Sequence, residues 1–237
     1  MKRFIGALAL LALMGSAQAT EVRVDFGFFD SAKVRGEKFK KALPFGTAIS
    51  ALVLQDKRIE IGEDWLILGS GSSLGEVREE GGPLSTRDTA SGYLYLGKRG
   101  EHGYHELMYL RVSLQGRINT EYLASTPSVC KKGEPFEYQD IVSAEEKKMS
   151  CIGIALTDIQ AEIQRSEPFQ GAHEVLGERL FPADAGATSK LYAADYFESR
   201  NANHFYLYHI VRAEHGASSR LNQETTALRQ QVQQQFF

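Results

Sequence analysis

Few side chains in this sequence have the type and spacing to do chemistry. Gly71-Ser72-Ser73-Leu74-Gly75 fits G-x-S-x-G, in which a tight strand-to-helix turn exposes a nucleophilic serine. The reaction would be acyl transfer through Ser73, with a late histidine, His209 or His215, as base and Asp184 or Asp195 between them in chain order. The continuation argues against it. Glu76 to Glu80 has no apolar face, and Gly81-Gly82-Pro83 would end a helix within two turns. No βα units precede the motif, and a solvent loop between antiparallel strands explains its glycines without chemistry. The stretch is not a phosphate-binding G-x-x-x-x-G-K-[ST] loop, and it misses G-x-G-x-x-G by one residue.

Glu101, His102, His105 and Glu106 form the best metal-like cluster, because zinc takes histidine and carboxylate ligands. On a strand, residues three apart point to opposite faces, and so do residues five apart. His102 and His105 therefore diverge, as do His204 and His209. The cluster reads as a polar hairpin tip. No catalytic residue, cofactor site or metal site is assigned.

Cys130 and Cys151 are the only cysteines. They bracket a polar excursion from Lys131 to Ser150 and are not spaced as C-x-x-C, so they read as a disulfide rather than a redox pair. Lys33, Arg35, Lys38, Lys40 and Lys41 are the most basic stretch. They suit an anion or lipid-headgroup contact, or simply a solvated helix face.

Lys2 and Arg3, the apolar run Phe4 to Met14 and Ala17-Gln18-Ala19 have the order of a cleaved export signal. The apolar run is far shorter than the roughly 20 residues a membrane span needs. Cleavage after Ala19 is expected, leaving 20–237 as a single exported domain, periplasmic or secreted, of bacterial style. Without Lys2 and Arg3 the chain carries 25 basic and 30 acidic residues, a net charge of −5. An acidic balance of this size disfavours general nucleic-acid binding. No transmembrane span is expected in the mature chain, and a protein or cell-envelope partner remains open.

The elements that would position these residues centre on a hairpin from Ser91 to Leu114. Its second strand places Tyr104, Met108, Leu110, Val112 and Leu114 on one face, with Glu106 the only misfit. Strands are expected at Glu21 to Phe29, Ile49 to Leu54, Lys57 to Ile61 and Trp65 to Leu68, with turns at Asp56-Lys57 and Gly62-Glu63-Asp64. Trp65, the only tryptophan, reads as core. Asp30 or Ser31 caps a helix over Ala32 to Leu43. Arg117 to Leu123 is irregular or a short strand, and Cys151 to Leu156 is a strand. Two short helices follow Thr157, with Phe169, Ala172, Val175, Leu176 and Leu180 as the buried stripe of the second. Lys190 to Glu198 and His204 to Val211 form an aromatic hairpin, and Ser219 to Phe237 is a helix rich in glutamine.

The fold class that follows is α+β, a largely antiparallel sheet of seven to nine strands with two short helices after Thr157 and a C-terminal helix. The functional expectation is a non-enzymatic exported binding or accessory module. A periplasmic serine hydrolase using Ser73 is the first alternative. An outer-membrane-associated β protein is the second, although the residues before Phe237 lack the alternation a membrane strand requires.

Overall fold

The hairpin expected between Ser91 and Leu114 lies at the centre of a nine-stranded sheet. The computed structural model describes residues 20–78, 86–115, 126–145, 148–182, 189–200 and 203–237. In chain order the elements are β1 (Thr20–Val24), α1 (Ala32–Ala42), β2 (Ala48–Leu54), β3 (Lys57–Arg78), β4 (Thr86–Arg99), β5 (Tyr104–Ser113), β6 (Tyr138–Glu145) and β7 (Lys148–Asp158). They continue as α2 (Ile159–Arg165), α3 (Glu167–Leu176), β8 (Lys190–Arg200), β9 (Asn203–Arg212) and α4 (Ala217–Phe236). The sheet order is β1-β2-β3-β4-β5-β9-β8-β7-β6. Among the described strands only β1 and β2 pair in parallel. The fold is α+β. The expected signal segment, Asp184 and Arg117 to Leu123 lie outside the described residues.

Two antiparallel meanders, β2 to β5 and β6 to β9, each fold back strand upon strand. A single seam joins them, where β5 pairs with β9 from Glu106↔Val211 to Val112↔Phe205. Period-two alternation then sets the two faces. Met108, Leu110, Val112 and Leu114 pack with Phe39 and Leu43 at α1 and with Val232 of α4. Leu107 and Tyr109 pack on the other face with Phe169, Ala172 and Leu176 of α3. Val175 of the expected stripe is instead 59% exposed, because α3 covers its sheet with a narrower face.

Local capping sets the helix starts. Ser31 accepts the Val34 N–H at 3.4 Å, Asp158 the Ala161 N–H at 2.8 Å, and Ser166 the Phe169 N–H at 3.3 Å. Phe237 follows a helix rather than a strand, unlike the end of a membrane barrel strand. Among the described residues no helix is long and apolar enough to cross a membrane.

Three local expectations are corrected. The first tight turn is Gln55-Asp56, with Gln55 at φ 60°. Gly62-Glu63-Asp64 does not end a strand. Glu60 pairs with Ala51 and Trp65 with Ile49, so the residues between bulge outward, with Gly62 at φ +95° and Asp64 at φ +67°. The bulge lets β3 run on against β4. The glycine stretch after it is strand, not solvent loop: Gly71 pairs with Tyr93 and Ser73 with Ser91. A Cβ on Gly71 would stand 2.3 Å from the Tyr93 ring, and one on Gly36 of α1 would stand 2.4 Å from Ser72 Oγ. These glycines admit a cross-strand ring and a close helix.

Cys130 and Cys151 lie at disulfide distance, with Cα atoms 5.3 Å apart. The excursion they bracket is more ordered than its polar composition implies. It contains β6, and Phe136 packs over Gly153, where a Cβ would approach within 2.7 Å of the ring. Val129, Met149 and the two cysteines form a small core of their own.

Candidate functional site

Glu106, the misfit on an otherwise apolar strand face, is 5% exposed and lies among charges. Cross-strand register assembles its neighbours: Trp65 of β3 stands opposite Lys98 of β4, and Lys98 opposite Glu106 of β5. Across the seam, His209 of β9 pairs with Met108 and thus shares that face. Helix α4 lies over the row and adds Arg220 and Glu224.

Glu106 Oε2 is 3.2 Å from His209 Nε2 and 3.8 Å from Lys98 Nζ, while Oε1 accepts Arg220 Nη1 at 3.0 Å. Burial alone would raise the Glu106 pKa. The His209 hydrogen bond and the charges of His209, Lys98 and Arg220 outweigh it and hold the carboxyl at about 2. An ionised carboxylate only accepts, so His209 Nε2 carries the hydrogen. Nδ1 of the ring then faces Glu224, whose Oε2 is 3.9 Å away. Lys98 Nζ sits 5.0 Å from the Trp65 ring centroid, and Trp65 meets the His209 ring edge-to-face at 5.4 Å. Trp65 is core, as expected, yet its ring also forms part of a polar wall.

That wall borders a cleft of about 300 Å³ between the β2–β3 hairpin and α4. Ile59, Ile61, Met108, Leu110 and Leu228 make it mostly apolar, and Lys98, His209 and Thr225 supply polar groups. Thr225 is 1% exposed, and its hydroxyl has no hydrogen-bond partner. A second hollow, of about 380 Å³, opens on the Arg220 side of Glu106, with His105, Arg212 and His215 at its rim. Glu106 itself lines this second hollow, while its partners Lys98 and His209 line the first.

Helix α4 is held in place by its glutamines. Gln235 and Gln231 accept the backbone N–H groups of Arg58 and Glu60, which β3 leaves unpaired before β4 joins it. Gln233 donates to Ser150 and Glu198, both at 3.0 Å, and Arg229 pairs with Asp140 at 2.8 Å. The helix therefore ties the two meanders together over the cleft.

The residues singled out for hydrolase chemistry are not brought together. Ser73 lies within β3, where its hydroxyl accepts Arg111 Nη2 at 3.4 Å on the face opposite His209. The histidine on the Ser73 face is His204, whose ring nitrogens lie 3.2 Å from Ser91 Oγ and 3.1 Å from Ser113 Oγ. Asp195 accepts the Tyr206 hydroxyl at 2.6 Å. His215 is at the rim of the second hollow. His204 and His209 point to opposite faces, as their spacing requires. Among the described residues no three His, Cys, Asp or Glu side chains gather as a metal site.

The signal that could have located this site was present. Glu106 and His209 each interrupt an apolar alternation on its own strand, and a buried acid needs a partner. Compared with known proteins, the chain matches no family model, no curated protein and no solved structure.

Proposed function

We propose that this protein is an exported, non-enzymatic binding module whose cleft between the β2–β3 hairpin and α4 takes a small amphipathic ligand. One observation carries the reading. An apolar floor meets a compensated charge network and a buried threonine hydroxyl without a partner, the combination that suits an apolar body with one hydrogen-bonding head. Within the network Arg220 and Lys98 balance Glu106 and Glu224, which leaves His209 Nδ1 and Thr225 as the groups able to receive that head. The disulfide pair and the leader-like first nineteen residues support export to an oxidising compartment. The hydrolase alternative draws no comparable support, since Ser73 is in mid-strand and away from His209.

The test is a small-molecule screen read by thermal shift, together with mass spectrometry of compounds released from purified protein on denaturation. Ala227→Trp places an indole at the exposed rim of the cleft without entering the core. Ligands that stabilise the wild type should fail to stabilise this variant. Equal stabilisation of both would place binding elsewhere and end the reading. Intact-mass analysis of the exported protein should give Thr20 as its first residue.

A further inference from the structure

The turn ahead of α1 exposes two aromatic rings that the fold nevertheless holds firmly. Phe28 is 90% exposed and Phe29 is 95% exposed, and the rings meet edge-to-face at 5.1 Å. The turn beneath them is tied at several points. The Asp30 N–H donates to Gly27 O at 3.1 Å, and the Asp30 carboxylate accepts the Gly27 N–H at 2.6 Å and Lys38 Nζ at 2.7 Å. Arg35 of α1 donates to Asp30 O at 3.1 Å while its guanidinium stands 5.7 Å from the Phe26 ring centroid. Lys38 and Arg35 are thus consumed in fixing the turn. At the far end of α1, Phe45 is 67% exposed, and beside the near end Leu74 is 61% exposed.

Between these apolar points α1 turns Lys33, Lys40 and Lys41 to solvent, and none of the three pairs with a carboxylate among the described residues. Buried Gly36 and Phe39 fix this orientation by packing against Ser72 and Gly92. The surface therefore combines firmly held, exposed aromatic side chains with exposed ammonium groups on the helix that follows them, the chemistry of an interfacial membrane contact. Glu37 on the helix, and Glu76 and Asp88 on the adjoining strands, limit its positive charge. The lysines alone would hold an anionic surface weakly, and the aromatic rings must supply the rest.

We propose that this face, with Phe28 and Phe29 as the inserting residues and Lys33, Lys40 and Lys41 as the headgroup contacts, docks the protein on an anionic phospholipid surface. The proposal is independent of the cleft, which lies at α4. Occupancy of both would give a module that presents its ligand site beside a membrane.

The test is co-sedimentation of the purified protein with vesicles of phosphatidylglycerol and phosphatidylethanolamine, against vesicles of phosphatidylcholine alone. Binding to the anionic vesicles is expected, falling steeply as salt is raised. Phe28→Ser/Phe29→Ser should reduce it by about tenfold or more with an unchanged melting temperature, and Lys33→Glu/Lys40→Glu/Lys41→Glu comparably with the fold retained, the melting temperature falling slightly because Lys40 and Lys41 lie in the last turn of α1. No binding to anionic vesicles, or binding that survives either set of substitutions, overturns the proposal. So does concentration-dependent self-association that Phe28→Ser/Phe29→Ser abolishes, which would assign the face to a second copy of this chain.

Discussion

The side-chain carbonyl of Gln231 accepts the backbone N–H of Glu60 at 3.1 Å, and Gln235 does the same for Arg58. Four residues of helix rise about 6 Å and two residues of strand about 6.6 Å, so the two spacings match. A helix thereby covers the unpaired stretch of β3. Gln231→Ala/Gln235→Ala should lower stability by roughly 1 kcal/mol, since two hydrogen bonds at a solvent-exposed strand edge are lost. Amide exchange at Arg58 and Glu60 should quicken selectively, and unchanged exchange there would refute the clamp.

Glu106→Gln keeps shape but removes the charge that faces His209, Arg220 and Lys98. A loss of roughly 2 kcal/mol at neutral pH is expected, because hydrogen bonds to a charged group are lost while Arg220 can still turn to water. The acid limb of the wild type carries the same signature. The Glu106 carboxyl is lowered from 4.5 to about 2 in the folded protein. Its contribution is therefore complete above about 4.5 and lost as pH falls toward 2. Chemical denaturation across that window should show a smaller acid loss in Glu106→Gln than in the wild type.

Asp195 behaves in the opposite sense. Burial, the largest influence, and then nearby Glu162 push its pKa up from 3.8 to about 6, against the Tyr206 hydrogen bond, which lowers it. The folded state therefore holds a proton that the unfolded state has released, and stability from this group falls as pH rises from 3.8 to about 6. Melting temperatures of Asp195→Asn should lack that decline. A parallel pH profile for variant and wild type would refute the assignment.

Cys130 and Cys151 are separated by 21 positions. A bond closing such a loop contributes about 3 kcal/mol, so Cys130→Ser/Cys151→Ser should melt lower by a corresponding amount. Non-reducing peptide mapping should recover the two cysteines as one linked pair from a monomer.

Local chemistry made much of this fold readable. The Ser31 and Ser166 caps, the β4–β5 and β8–β9 hairpins and the glutamine-rich helix all follow from spacing within a dozen residues. Two features resisted. Strand β6 is an edge strand with Val142 61% exposed, so it lacks the alternation that marks a buried strand. The course of β3 through Gly69 to Gly75 depends on Tyr93 over Gly71 and on Gly36 of α1 against Ser72, contacts that no local window contains. Glu106 stood out as a misfit, but its partner His209 is 103 positions away. Only the order of strands in the sheet makes them neighbours.

That order also sets how the molecule must assemble. Within each meander strands pair with the next strand in the chain, across α2 and α3 in the case of β7 and β8, whereas the β5–β9 seam joins strands about a hundred residues apart, the costliest and slowest kind of contact to form. Until it forms, β5 and β9 are both open apolar edges whose best match is each other. During refolding at concentrations that approach the effective concentration of two tethered strands, β5 of one molecule would compete for β9 of another. The product would be a domain-swapped dimer in which every Glu106–His209 pair has one parent in each chain.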